Sequence, residues 1–285
     1  MNYISQHLEQ NPTLDEVAEL AALSSFHFHR IFKAATGETL ANFTRRLRLE
    51  RAAGRLLSSP STDITTLAMM YGFSSAQNFA KAFRQHFATT PSAYRLQAKQ
   101  NSKIGNARSG EDDYDCQVLS WGAGPEQSNL LQSVRIEKVA AFQVIYMRQL
   151  GSYGRERCEQ AHRDLLSLLG CSEESTPVGT LSLYWDDPEI TEPAHCRTDV
   201  CIVLDGPVPA GRRLATQLVA AGRYLVCSFA CNEASLTLTW EIAFRYLVAK
   251  GLACADLPCY ERYDAASNQA RDHYAFDIYI PLTSR

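Results

Sequence analysis

The sequence lacks several features that would assign it to a special class of protein. No stretch of its 285 residues approaches the roughly twenty consecutive apolar residues that a membrane span needs. Its first residues, MNYISQHLEQ, are polar and unlike a signal peptide. Hydrophobic residues make up 46% of the chain and charged residues 21%, which excludes a disordered or fibrous protein. We therefore expect a globular, cytoplasmic protein with no membrane partner, long enough for two domains.

Cysteines number nine, but none precedes Cys116 and no CxxC pair occurs. Two close pairs, Cys196/Cys201 and Cys227/Cys231, fall in segments typical of strands, where four residues span about 13 Å and cannot chelate one ion. We expect reduced, mostly buried thiols. GxSxG, HExxH and phosphate-binding glycine loops are also absent, so the sequence predicts no catalytic site, no metal, no cofactor and no enzyme.

Charge is distributed unevenly along the chain. Residues 1–100 contain 11 Lys and Arg against 7 Asp and Glu, which leaves 17 against 24 for the remainder. Five arginines within eleven residues form a pattern that suits a polyanion, although a solvated helix face is the simpler expectation for any one of them. The first part of the chain is therefore predicted to bind nucleic acid. The five are Arg45, Arg46, Arg48, Arg51 and Arg55.

The composition and hydrophobic pattern of the sequence change twice. Residues 1–100 show apolar residues at helical spacing and no alternating β-branched run, which predicts an all-α domain. Residues 101–131 are rich in Gly, Ser, Asn and Asp, as a linker is. In residues 132–285, strand-like segments alternate with amphipathic helices, which predicts an α+β domain.

The first domain contains a repeated helical motif. Val17-Ala18 and Ser24-Ser25 have counterparts fifty residues later in Leu67-Ala68 and Ser74-Ser75. Phe28, Phe32 and Phe43 have counterparts at an offset of fifty-one in Phe79, Phe83 and Tyr94. In each copy a short helix leads through a turn to a second helix, which is the spacing of a helix-turn-helix.

The second helix of each copy is predicted to begin at a serine N-cap, Ser24 in the first copy and Ser74 in the second. Phe28, Ile31 and Phe32 should then face the core of the first copy. A long helix over Thr39 to Leu57 connects the copies.

The block LAMMYGFSSAQNFAKAFRQHFATTPSAYR follows a known signature closely, and residues 5–97 resemble the double helix-turn-helix domain of the AraC/XylS family of bacterial transcription regulators. The resemblance implies a homeodomain-like fold whose two recognition helices enter successive major-groove segments of double-stranded DNA, with RNA polymerase as a further partner. The base-facing candidates that it implies are Phe26, His29 and Arg30 in the first helix, and Ala76, Gln77, Asn78 and Lys81 in the second.

Side-chain chemistry agrees with part of this set. Arg30 can pair with guanine, and Gln77 or Asn78 with adenine, each contact discriminating by about 1–3 kcal/mol. Phe26 and His29 are less typical readers of bases and could touch thymine methyls or a phosphate.

The second domain is also duplicated. Val139-Ala140-Ala141 and Val219-Ala220-Ala221 stand eighty residues apart, and each opens a strand followed by a turn and a helix. The two helices are predicted to end before Gly170 and Gly251.

Residues 132–282 resemble the GyrI-like domain, a duplicated strand-helix-strand-strand fold known as an effector-binding module. The resemblance rests on VRIEKVAAFQVIYMRQLGSYGR, LYWDDPEITEPAHCRTDVCIVLD, GRYLVCSFAC and PCYERYDAASNQARDHYAFDIYIPL. It implies that Glu261 forms the floor of the effector cavity.

A cavity for lipophilic cations needs flat aromatic walls and a carboxylate that stays charged. The ligand-binding candidates are Tyr153, Trp185, Glu261 and Tyr263, with Tyr184 and Tyr260 as further aromatics that could equally be core. An alternative for Glu261 is a strand carboxylate paired with an arginine such as Arg262.

Together these patterns predict a DNA-binding transcription regulator controlled by a small, hydrophobic or cationic aromatic effector. Two alternatives remain for the second domain: a small-molecule hydrolase with Glu261 and Tyr153 as base and acid, or a protein-interaction module.

Overall fold

The computed structural model of the protein describes residues 1–58, 61–101, 130–170, 180–203, 214–263 and 273–283. The chain divides into two compact units between Ala107 and Arg108. Of the predicted linker, residues 102–129 lie outside the described residues.

The first unit is helical, as predicted, and its helices form two helix-turn-helix copies on either side of one long helix. Apolar side chains at helical spacing point inward from every one of these pairs. A short 3-10 turn, Leu8–Gln10, follows the first helix. The helices are α1 Asn2–Gln6, α2 Leu14–Leu20, α3 Ser25–Thr36, α4 Leu40–Ser58, α5 Ile64–Met70, α6 Ala76–Phe87 and α7 Pro91–Asn101.

The recognition-helix candidates α3 and α6 begin at serine N-caps. Ser24 accepts a hydrogen bond from the backbone N–H of His27, as predicted. In the second copy the cap is Ser75, which accepts from the N–H of Asn78 at 3.1 Å, so the prediction of Ser74 is wrong by one residue. Each residue of α3 therefore corresponds to the residue fifty-one positions later in α6, which is the offset that the phenylalanines also show.

Each copy has an aromatic core. Phe28 and Phe32 are buried and Phe32 packs edge-on against Phe43 of α4 at 5.3 Å, whereas Phe79 and Phe83 are buried in the second copy. Ile31 is exposed, so its predicted place in the core is wrong. A helix of this length buries a single stripe, and Phe28 and Phe32 already fill it.

The described residues of the second unit form an eight-stranded antiparallel sheet and two α-helices. Its strand order is β1-β6-β8-β7-β3-β4-β2-β5. Each repeat contributes two strands, a helix and two more strands, and the first strand of each repeat pairs with the second strand of the other. The elements are β1 Leu131–Val139, β2 Phe142–Leu150, α8 Arg155–Leu169, β3 Thr180–Tyr184, β4 Arg197–Val203, β5 Thr216–Val219, β6 Gly222–Cys231, α9 Leu236–Ala249, β7 Cys259–Tyr263 and β8 Tyr274–Pro281.

The two repeats also pair at the centre of the sheet, β3 with β7, and Ser182 stands directly opposite Glu261 there. Helix α8 packs on β2 and β4, and α9 packs on β6. Both helices end where predicted, because Gly170 and Gly251 follow them in the left-handed conformation that glycine adopts at low cost. The strand pair at the centre of the sheet thus lies between the two helices.

Candidate functional site

The predicted base-facing residues of the first copy lie on α3. Phe26 is 73% exposed and Arg30, also exposed, holds its guanidinium over the Phe26 ring at 5.6 Å from the centroid. His29, by contrast, is half-buried. Arg30 and Phe26 therefore form one outward unit, in which the ring restricts the positions open to the guanidinium.

On α6, Gln77, Asn78 and Lys81 are exposed and Ala76 is half-buried. The Asn78 side-chain amide donates to the hydroxyl of Ser74 at 2.8 Å, which orients it at the start of the helix. At the structural offset of fifty-one, Lys81 occupies the place that Arg30 has on α3, so both helices present a cation five residues after their first residue.

Two of the clustered arginines are internal to the fold. Arg46 is buried and its guanidinium binds the carboxylates of Glu38 at 2.8 Å and Glu50 at 3.0 Å. Arg46 therefore neither lies on a solvated helix face nor is available to contact a phosphate.

Arg48 is buried as well, and it connects the 3-10 turn that precedes the first helix-turn-helix copy to the turn of the second copy. Its guanidinium donates to the carbonyl oxygen of Leu8 and, at 3.3 Å, to that of Gly72. Burial lowers the pKa of Arg48, with Glu9 acting in the opposite direction. We conclude that this arginine fixes the geometry between the copies, a role that the charge pattern did not predict.

In the second unit, Glu261 is the centre of a polar cluster between α8 and α9. Its side chain is buried and accepts three hydrogen bonds: from the hydroxyls of Tyr184 at 2.8 Å and Tyr263 at 2.7 Å, and from the indole N–H of Trp240 at 2.5 Å. All three donors are neutral. Among the described residues, no lysine, arginine or histidine forms an ion pair with Glu261, so the alternative of an arginine partner such as Arg262 is wrong.

The internal repeat explains this geometry. Ser182 and Tyr184 of β3 correspond to Glu261 and Tyr263 of β7, and alternation along each strand turns these side chains toward the helices. The hydroxyl groups of Tyr184 and Tyr263 therefore approach the Glu261 carboxylate from opposite directions. The carboxylate occurs in one repeat only, with Ser182 in its place in the other.

Burial dominates the protonation of this cluster. Burial raises the pKa of the Glu261 carboxyl, and the hydrogen bonds from Tyr263, Tyr184 and Trp240 oppose the rise. Burial, and then the negative charge of Glu261, hold the pKa values of Tyr184 and Tyr263 well above their ordinary value. The two hydroxyls are thus permanent donors, and an ionised Glu261 is stabilised by hydrogen bonds but not by an opposite charge.

Tyr153 lies next to this cluster without bonding to the carboxylate. Its ring packs edge-on against Tyr184 at 5.0 Å, and its hydroxyl donates to the backbone carbonyl of Asp186 at 2.6 Å. It can serve as a wall. Its hydroxyl is engaged by the backbone of Asp186, which disfavours it as the acid of the hydrolase alternative.

Trp185 and Tyr260 lie away from Glu261. The Trp185 indole donates to Asp199 at 2.7 Å, and the guanidiniums of Arg148 and Arg197 lie over its ring, 5.2 and 5.5 Å from the centroid. Tyr260 stacks on Tyr279 at 4.4 Å in the core. Successive strand residues face opposite ways, so these aromatics belong to the other face of the sheet.

Sequence reasoning missed two members of the cluster. Trp240 reads as an ordinary core aromatic of an amphipathic helix, and only the indole bond to Glu261 distinguishes it. The other is Cys158, on α8: burial, followed by the charge of Glu261, raises the pKa of its thiol to about 11, and Ser182 opposes the rise. A thiol with that pKa is protonated at neutral pH and is a poor nucleophile.

The described part of the chain offers no metal site, since nowhere in it do three His, Cys, Asp or Glu side chains converge. Nor does any helix described there have the length and hydropathy required to cross a membrane.

Comparisons with known proteins agree with these two units. Residues 132–283, more than half of the chain, match the GyrI-like small molecule binding domain, and residues 17–97 match a helix-turn-helix domain. The probable transcription factor PqrA of Proteus vulgaris is 36% identical over 97 residues, which are 33% of this chain and 79% of PqrA.

The right origin-binding protein of Escherichia coli K12 is 40% identical over 95 residues, which are 33% of this chain and 32% of that protein. The chain thus matches about a third of the length of this relative. A crystal structure of an AraC-type transcriptional regulator from Chromobacterium violaceum is 29% identical, with a TM-score of 0.33, and the match covers 35% of this chain and 88% of that one.

Proposed function

The chain belongs to the AraC/XylS-type regulators that carry a GyrI-like small molecule binding domain, and on this premise we propose that it is a transcription regulator that binds specific duplex DNA under the control of a hydrophobic cation. The observation that carries the effector part is a buried carboxylate with three neutral donors and, among the described residues, no cation beside it.

The DNA part of the proposal assigns base reading to the exposed side chains of α3 and α6. Arg30 would contact guanine, with Phe26 against a neighbouring thymine methyl, and Gln77 or Asn78 would contact adenine. His29, Ala76 and Lys81 would contribute apolar or phosphate contacts at the edges. Arg46 and Arg48 have no part in this, because both bind within the protein.

The effector part assigns the cation to Glu261. A buried carboxylate is costly without an opposite charge, and a bound cation supplies one while aromatic rings contact its flanks. Tyr153, Tyr184, Tyr263 and Trp240 would be those rings, and Trp185 would not take part.

A regulator is a better account of the second unit than an enzyme. Relatives of the first unit include a probable transcription factor, and the tyrosine that a hydrolase would need as acid bonds to the backbone of Asp186. We further propose that the protein acts in the cytoplasm and meets RNA polymerase at the promoters that it controls.

The test of the proposal uses the full chain. Selection from a random duplex library should enrich one motif, and affinity for it should fall steeply as salt rises, because phosphate contacts release counterions. Benzyltrimethylammonium should change that affinity or the transcription that follows from it, whereas its neutral carbon isostere, neopentylbenzene, should not. No enriched motif would refute the DNA part, and equal effects of the two compounds would refute the effector part.

A further inference from the structure

Helix α9 carries an apolar stripe that becomes exposed toward the C-terminal end of the helix. Its inward face is Ala243 and Leu247, both buried. One step around the helix, Trp240, Phe244 and Val248 follow one another at intervals of four residues, and exposure increases along them: Trp240 is half-buried, Phe244 is 38% exposed and Val248 is 69% exposed. Residues four apart are neighbours on a helix surface, so the three side chains form one continuous track.

The track begins at the Glu261 cluster. Trp240 donates its indole N–H to Glu261 and packs edge-on against Tyr184 at 5.3 Å. Its ring then stacks on Phe244, with centroids 6.1 Å apart and an angle of 26° between the planes. One side chain thus belongs both to the site of the charge and to the apolar track that leads outward from it.

The track is electrically neutral. The charged neighbours on the outer side of α9, Glu241 and Arg245, form an ion pair with each other. An apolar group lying along Phe244 and Val248 would therefore meet no unpaired charge from these two neighbours.

We propose that the effector is an elongated amphiphilic cation, with its charged head at Glu261 and an apolar tail along Trp240, Phe244 and Val248. The inference rests on the proposed function of Glu261 and adds the shape of the molecule and the subsite for its tail. Eight residues of helix rise about 12 Å, a distance that an extended decyl chain covers.

Calorimetry of the full chain with alkyltrimethylammonium ions, from ethyl to dodecyl and below micelle formation, tests the tail separately from the head. Affinity should rise by up to about fourfold for each methylene that is buried, and the rise should stop near decyl. In Phe244→Ser and Val248→Ser the rise should be much shallower, whereas the affinity for ethyltrimethylammonium should be unchanged.

Leu168→Ser on α8 is the matched control, because Leu168 is 53% exposed and lies on the other helix. It should leave the length dependence as in the wild type. Val248 is so exposed that its variant is expected to fold, which circular dichroism checks.

Several outcomes overturn the proposal. A wild-type series with no length dependence removes the tail subsite, and an equal rise in wild type and both variants places the tail elsewhere. If Val248→Ser changes only the oligomeric state in sedimentation, the track covers a second copy of the chain instead. If no member of the series binds, or Glu261→Gln binds all members as the wild type does, the proposed role of Glu261 fails and this inference with it.

Discussion

The most informative single change is Glu261→Gln. Glutamine keeps the size of the side chain and one carbonyl acceptor, but it removes the charge and turns the second acceptor into an amide donor. Tyr184 and Tyr263 share one oxygen of the carboxylate and Trp240 uses the other. The variant therefore retains acceptors for two of the donors at best, and it loses all attraction for a cation.

The size of the effect follows from burial. Removing one partner of a buried charge pair costs about 2–5 kcal/mol, so affinity for benzyltrimethylammonium should fall about thirtyfold or more. Neopentylbenzene has the same shape and no charge, and its affinity should change by less than about fivefold. A surface carboxylate would change cation binding by at most about 1 kcal/mol.

The direction of the pH dependence follows from the pKa of Glu261. Burial raises this pKa in the folded chain above its ordinary value of 4.5, so the folded state holds the proton more tightly than the unfolded state does. The resulting stability is complete below the ordinary pKa and is lost as pH rises through the raised folded value. Ionisation also creates the charge that the cation needs. Over the same window the unliganded protein should therefore lose stability and gain affinity for the cation.

Calorimetric titration and thermal unfolding, each over pH 4 to 8, measure both trends. In Glu261→Gln, the changes in stability and in cation affinity that come from ionisation of Glu261 should both be absent. Glu241→Gln, at an exposed carboxylate of α9, is the control and should retain both. Loss of stability with unchanged discrimination between cation and neutral isostere would refute the argument, because Glu261 would then be a structural residue alone.

Three further predictions concern the first unit. Arg48→Met should lower the free energy of unfolding by about 1–3 kcal/mol in urea titrations, because it leaves the carbonyl groups of Leu8 and Gly72 without this donor. Arg45→Met, at an exposed arginine of the same helix, should change the free energy of unfolding by less than about 0.5 kcal/mol. Equal effects of the two substitutions would contradict the bridging role of Arg48. Arg30→Ala should weaken binding to the selected duplex by about 1–3 kcal/mol and reduce the base preference at one position of the motif. Lys33→Ala, on the same helix, should change only the salt dependence of binding. An unchanged base preference in Arg30→Ala would show that Arg30 does not contact a base. Replacing thymine by deoxyuridine beside that position should weaken binding of the wild type but not of Phe26→Ala, and equal sensitivity in both proteins would show that the Phe26 ring does not contact the methyl group.

Local signals in the sequence predicted the elements well and their ends less well. The repeat offset and the aromatic spacing located α3, α4 and α6, because helix formation depends on neighbours three and four residues away. The same spacing could not decide between Ser74 and Ser75 as N-cap, since both are serines before an apolar run. It also gave Ile31 a core position that Phe28 and Phe32 already occupy.

The sequence by itself determined the two kinds of domain, the duplication in each, and Glu261 and Tyr263 as neighbours on one strand face, because these depend on local periodicity. Only the tertiary structure decided what each polar group binds. Glu261 meets Tyr184 from 77 residues away and Trp240 from 21, and Arg48 meets the carbonyls of Leu8 and Gly72 from 40 and 24 residues away. Such partners are chosen by strand pairing and helix packing, which bring distant groups together in a buried space where an unpartnered donor or charge is costly.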